Sequence, residues 1–160
     1  MHRRRPLRGF TLIEIVVVVA ILGILASAAF PVAKMVSLRA KESELRLALR
    51  QIRAGIDAYK EAADAGRIAK STDESGYPRT LDELSKGVAD LTSPNKKMIY
   101  FMRRLPRDPM NPDSSLAAAD TWGLRSYNSP PDAPSPGKDV FDVYSTSAKS
   151  GLNGVAYREW

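Results

Sequence analysis

Residues 9–31 read GFTLIEIVVVVAILGILASAAFP, an apolar run that carries one charged side chain, Glu14. From Phe10 to Phe30 is twenty-one residues, about 31 Å as a helix, which matches the roughly 30 Å hydrocarbon core of a bilayer. The run therefore predicts a single membrane-spanning helix. The carboxylate is its informative departure. A charge at mid-bilayer costs roughly 2.5 kcal/mol or more, and less towards the interface, so Glu14 requires a partner that the run does not supply.

On the N-terminal side, MHRRRPLRG holds Arg3, Arg4, Arg5 and Arg8 and no acid. A leader of this kind stays on the cytoplasmic side and sends the residues beyond Phe30 across the membrane. The formal net charge of +6 comes from 24 basic and 18 acidic residues, and without the leader's arginines 20 stand against 18. The remainder interleaves the two signs, as in Lys41-Glu42-Ser43-Glu44 and in Asp57, Lys60 and Glu61. That is the pattern of a solvated helix face, not of a stripe that neutralises phosphates, so no nucleic-acid partner is expected. The small cluster Lys96-Lys97 and Arg103-Arg104, with Tyr100 and Phe101 between, does not change that reading.

Residue types limit the chemistry. The chain has no cysteine, and His2, its only histidine, lies in the leader. Nothing remains for a disulfide, a thiolate nucleophile or a histidine-based metal site. No Gly-rich phosphate loop comes after a strand, and no two of the scattered acids are singled out by spacing as a glycosidase pair. The expectation is a protein without catalytic residues and without a cofactor.

On the C-terminal side, Pro31 has no amide proton for the carbonyl of Ser27, which predicts a kink or local loosening. The helical pattern then resumes. Leu38, Leu45, Ile52 and Tyr59 recur every seven residues, and Leu49, Ile56 and Ala63 keep the companion spacing. These registers predict an amphipathic helix from Pro31 to about Ala65, ended by Gly66. Its second half is expected to form one wall of the core, because roughly ninety further residues bury only a modest core alone. Its first half, near the membrane, is the expected contact for another helix.

Downstream, Thr80 as N-cap with Glu83 completing a capping box predicts a short helix stopped near Gly87. Ser93-Pro94 predicts a second helix running to about Arg104, closed by Pro106, Pro109 and Pro112. Leu124 to Asn128 reads as a strand, and Pro130 to Gly137 as a long connection. Val140-Phe141-Asp142-Val143-Tyr144 alternates with period two, and Val155-Ala156-Tyr157 reads as a short last strand after the Gly151-Leu152-Asn153-Gly154 turn. The class is α+β.

These segments together carry a family resemblance. Gly9-Phe10-Thr11-Leu12-Ile13-Glu14, the apolar run and Pro31 resemble the N-terminal signature of type IV pilins and of the pseudopilins of type II secretion systems. Gly76-Tyr77-Pro78 with Leu81 and Leu84, Leu105-Pro106-Arg107-Asp108-Pro109, Phe141-Asp142-Val143-Tyr144-Ser145 and Trp160 are similar to the major pseudopilins. The resemblance implies a type IV pilin-like fold: a long N-terminal helix, half transmembrane and half amphipathic, packed on a small antiparallel sheet. It implies a basic leader at 1–9, a transmembrane and assembly helix at 10–30, an amphipathic stalk at 31–65, and a periplasmic globular domain at 66–160.

It also implies a use for Glu14. In such families a prepilin peptidase cleaves between the residues matched by Gly9 and Phe10 and methylates the new amine. The methylated amine of Phe10 stays cationic and, on a continuous helix, lies one turn from Glu14. Pairing Glu14 with the amine of a neighbouring subunit neutralises two groups that are each costly in hydrocarbon. Phe10, Glu14 and Pro31 are the assembly residues on this reading. The partners are further copies of the chain, minor pseudopilins, the prepilin peptidase and an inner-membrane secretion platform. The chain would be a single-pass inner-membrane protein whose filament stands in the periplasm.

Two stretches depart from the family pattern. Its calcium loop comes after the Tyr-Ser strand in a Ser-x-Gly-x-Asp-Gly setting, whereas Ser145-Thr146-Ser147-Ala148-Lys149-Ser150-Gly151-Leu152-Asn153-Gly154 holds no carboxylate and one lysine. Calcium takes several hard, usually anionic oxygens, so no high-affinity calcium site is expected. The Asp-Pro-Trp-Gly motif is altered to Asp108-Pro109-Met110-Asn111-Pro112, with Thr121-Trp122-Gly123 arriving after an inserted loop from Asp113 to Asp120. Two other readings compete. A type IV pilus subunit for adhesion, motility or DNA uptake shares the signature, but the chain lacks the usual C-terminal cysteine pair. Ala26-Ser27-Ala28 satisfies the small-x-small rule of signal peptidase, but Glu14 and the subsequent amphipathic helix do not suit a released soluble domain.

Overall fold

The computed structural model describes residues 10–95 and 97–160, with the backbone alone for residues 28–31. The leader, including Gly9, and Lys96 of the small basic cluster lie outside the described residues. The chain falls into two compact units that divide between Ala40 and Lys41.

One helix dominates the chain. Helix α1 spans Leu12–Asp64, 53 residues, and its backbone remains helical through Pro31. In the first unit the described side chains of residues 10–27 are all exposed, and Leu38 is half-buried. In the second unit the heptad stripe is the core wall: Leu45, Leu49, Ile52, Ile56, Tyr59 and Ala63 are all buried. The helix stops where its sequence says it should. Gly66 takes φ +69°, its N–H donates to the Ala63 carbonyl at 3.0 Å, and the Arg67 N–H donates to Ala62 at 2.9 Å. This is a Schellman closure, which needs a residue at ease in the left-handed region.

The remainder of the second unit is α+β, with short elements. Helix α2 is Asp82–Lys86, and strands β1 to β4 are Val88–Ala89, Met98–Ile99, Trp122–Arg125 and Asp142–Ser145. β1 pairs antiparallel with β2, and β3 with β4. Leu81, Leu84, Leu105, Trp122, Val140, Val143 and Tyr157 join the α1 stripe in one core. In the β3–β4 ladder Gly123 faces Tyr144, and a Cβ on Gly123 would sit 2.3 Å from the tyrosine ring. The ring occupies the space that glycine leaves free of any side chain.

Several local expectations need correction. The capping box at Thr80 does not form: the N-cap of α2 is Leu81, with no side-chain hydrogen bond, and the Glu83 carboxylate instead accepts the Arg79 N–H at 3.1 Å. Gly87 ends that helix at φ +83° as expected. Among the described residues the helix expected from Ser93 to Arg104 is absent, and β1 and β2 form a hairpin in its place. The cause is Asp90, whose carboxylate accepts both the N–H and the hydroxyl of Thr92 at 3.0 and 2.7 Å. A side chain that satisfies the backbone two residues on competes with a helix start. Phe101 and Met102 then donate their N–H groups to the Leu84 carbonyl, which fixes them against α2. The strand expected at Leu124 to Asn128 is set earlier, at Trp122–Arg125, and that expected at Val140 to Tyr144 is set later, at Asp142–Ser145. The expected strand at Val155 to Tyr157 reduces to one bridge, Ser150 with Ala156, and then a 3-10 turn at Tyr157–Glu159.

Candidate functional site

The N-terminal site begins just outside the helix. Phe10 is 77% exposed and, like Thr11, precedes the first helical residue, Leu12. Thr11 is the cap: its Oγ1 accepts the Glu14 N–H at 3.3 Å, and its carbonyl accepts the Ile15 N–H. A cap of this type is worth about 1 kcal/mol. Thr11 is not among the residues expected to matter, although Thr-Leu-Ile-Glu carries the Ser/Thr-x-x-Glu signal that could have found it. Glu14 itself lies in the first turn of α1, where the helix dipole favours a negative charge. Among the described residues no cationic side chain pairs with it.

From Ile15 to Leu25 the helix is apolar on every side. Ile15, Val16, Val17, Val18, Val19, Ile21, Leu22, Ile24 and Leu25 are all among the exposed large apolar residues. A helix apolar all round is one that lipid or other helices cover. α1 is long and apolar enough to cross a membrane, by length and composition. Ser27 Oγ donates to the Gly23 carbonyl at 2.9 Å, so the one hydroxyl at this depth is satisfied within the helix.

In the second unit, the motif Leu105-Pro106-Arg107-Asp108-Pro109 is a buried joint. Asp108, 2% exposed, accepts the Ser145 hydroxyl at 2.5 Å and the Met110 N–H at 2.8 Å. The Asp108 N–H donates to Thr121 Oγ1 at 3.1 Å, and Trp122 Nε1 donates to the Pro106 carbonyl at 2.9 Å. One short segment thus ties β3 to β4. The inserted loop is also anchored: Arg107 donates to the carbonyls of Asp113, at 2.7 Å, and Leu116.

A cleft of about 1070 Å³ opens between α1, the loop at Ala69–Arg79 and the Ser126–Asp139 connection. Several of its charged groups have protein partners. Arg79 bonds Glu74, and Asp139 accepts from Ser75, Ser126 and the Tyr127 N–H. Burial and then the Glu83 carboxylate push the Tyr59 phenol up.

The loop from Ser145 to Gly154 does not offer the donor set of a calcium site. It has no carboxylate, and the acids that reach it already accept protein donors: Asp108 from Ser145, and Glu42 from the Leu152 N–H and the Tyr157 hydroxyl. Among the described residues no group of three or more histidine, cysteine, aspartate or glutamate side chains is placed to hold a metal.

Comparison with known proteins agrees with this geometry. A model of the prokaryotic N-terminal methylation motif matches residues 4–30. The chain is 31% identical over 163 residues to the type II secretion system core protein G of Dickeya chrysanthemi, covering 96% of this chain and 97% of that protein. It is 33% identical over 158 residues to the protein of the same name from Vibrio cholerae, covering 96% and 89%, and 33% identical over 157 residues to that of Pseudomonas aeruginosa, covering 95% and 91%. No solved structure gives a significant match.

Proposed function

The chain belongs to the type II secretion system core protein G family, and from that membership we propose how its N-terminal segment is used. It is a pseudopilin, a structural filament subunit, and its relatives favour that role over a pilus for adhesion, motility or DNA uptake. Prepilin peptidase cleaves between Gly9 and Phe10 and methylates the Phe10 amine. The segment then passes from lipid into a bundle of like segments, with the globular unit on the periplasmic side. Inner-membrane platform and minor pseudopilins are its further partners. The protein works by assembly and catalyses nothing.

The observation that carries this is the wholly exposed apolar helix with one carboxylate at its capped first turn. In lipid, Glu14 is costly alone. In a filament, the Phe10 amine of a neighbouring subunit supplies the opposite charge, so assembly relieves the cost. Cleavage before Phe10 creates that amine, so the pairing becomes possible only in the processed chain. Mass spectrometry of the mature N-terminus tests the processing: N-methyl-Phe10 is expected, and a chain starting at Ala29 would refute it.

A further inference from the structure

The heptad registers of α1 contain one anomaly. Leu49, Ile56 and Ala63 are buried at seven-residue intervals, and the position seven before Leu49 is Glu42. Glu42 is not on the solvated face: it is 7% exposed. Its Oε1 accepts the Leu152 N–H at 2.7 Å and the Tyr157 hydroxyl at 3.0 Å. Burial, and then the Glu42 carboxylate, pushes the Tyr157 phenol up, so Tyr157 stays a donor.

The loop around this carboxylate is built for a negative group. Gly154 N–H donates to Gly151 at 2.9 Å, and Gly151 N–H to Val155 at 2.8 Å. Val155 N–H donates to Asn153 Oδ1 at 3.1 Å. These internal bonds close the turn and leave the Leu152 N–H directed at Glu42. A cation site presents oxygens, whereas this one presents a backbone N–H and a phenolic O–H. Gly151 is part of the fit, since a Cβ there would lie 2.4 Å from the Trp160 ring and 3.2 Å from Glu42 Oε1. Arg46, one turn along α1, covers the Trp160 ring at 4.4 Å.

We infer that Glu42 is the internal fastener of the Ser145–Gly154 loop, a fixed carboxylate doing from the helix what a bound cation would do from solvent. The loop therefore takes its shape without calcium. The sign of the site is inverted, from oxygens around a cation to N–H and O–H groups around an anion.

The test uses the full-length chain in detergent micelles, with added calcium chloride or EGTA, and reads thermal unfolding together with hydrogen exchange at the Leu152 amide. The wild-type protein is expected to melt at the same temperature in both, within about 2 °C, and to protect Leu152 equally. Glu42→Ala is expected to raise the Leu152 exchange rate at least about tenfold, with calcium giving no recovery. If Glu42→Ala fails to fold, Glu42→Gln and Tyr157→Phe carry the test. Glu42→Gln keeps a carbonyl acceptor and is expected to retain part of the protection, and Tyr157→Phe to loosen the loop measurably. A clear upward melting shift at micromolar calcium would overturn the inference, as would unchanged Leu152 protection in Glu42→Ala, or in both milder variants.

Discussion

Replacing Asp108 by alanine removes the acceptor at the centre of the β3–β4 joint. Asp108 and Ser145 are 2% and 0% exposed, so water does not replace the lost bonds. Two bonds to the carboxylate disappear, the Ser145 hydroxyl at 2.5 Å and the Met110 N–H at 2.8 Å, and both donors are left without an acceptor. Hydrogen bonds to charged groups contribute about 1.5–3 kcal/mol each, and buried orphans add their desolvation cost. About 3–5 kcal/mol is the expected loss for Asp108→Ala. Unfolding entropy near 2.1 cal/mol/K per residue gives about 0.25 kcal/mol/K for a unit of Lys41–Trp160, so the melting temperature should fall by about 12–20 °C. Asp108→Asn keeps one carbonyl acceptor and should lose about 1–2 kcal/mol, or about 4–8 °C. Near-ultraviolet circular dichroism of the full-length protein reports this directly, since both tryptophans lie in the affected unit. The double variant Asp108→Ala, Ser145→Ala removes the orphaned hydroxyl as well and should lose less than the sum of the single losses. A drop below about 4 °C for Asp108→Ala, or strict additivity in the double variant, would refute the reasoning.

Other expectations are narrower. Glu14→Leu should insert normally into the membrane yet give no filaments when the chain is co-expressed with its secretion machinery, and filament yield equal to wild type would sink the charge pairing. Gly66→Ala and Gly123→Ala both destabilise for different reasons: the first, at φ +69° with open space around its Cβ, should cost about 1–2 kcal/mol in backbone strain. The second meets the Tyr144 ring and should cost about 1–3 kcal/mol, and Tyr144→Ala should recover stability in the Gly123 variant alone, as read by denaturant titration. The bond from Arg67, then the Thr92 hydroxyl, holds the Asp90 carboxyl down to about 2. A depressed carboxyl contributes stability that is complete above its unfolded pKa near 4 and is lost as pH falls through about 2. Carbon-detected NMR titration should place Asp90 at that value, and Arg67→Met should move it up towards about 4.

Long-period features are legible in the residues, and local side-chain competition is not. The apolar run, the Leu45 to Ala63 stripe and the Gly66 stop read correctly because each rests on repetition or on one residue's backbone freedom. The hairpin at Val88 to Ile99 is hidden because Ser93-Pro94 carries a helix-start signal, while the deciding group, Asp90, lies outside that signal and acts through Thr92. Thr80 fails as a cap for a similar reason: the Glu83 carboxylate finds the Arg79 N–H instead. At the N-terminus, Phe10 and Glu14 stand out by charge and position, whereas the capping role of Thr11 is masked by its place inside the signature. Glu42 hides in a charged tetrapeptide, and only its register with Leu49 and Ile56 distinguishes it from Lys41 and Glu44. Its partners lie more than a hundred positions away, where pattern reading has no reach.

That separation sets an order of events in biosynthesis. Glu42 finds its partners at Leu152 and Tyr157, and Arg53 finds its own at Asp142, Val143 and Trp160. The polar bonds that lock this stretch of α1 thus all reach to Asp142 or beyond. With contacts this remote, loop closure is slow and late. In a chain anchored at its start and threaded across the membrane as proposed, the part of α1 around Glu42 and Arg53 waits on the far side without these bonds until translation is nearly over. The interval is a window in which a chaperone or a protease has access to that end of the helix, and its length is set by the position of Tyr157 in the chain.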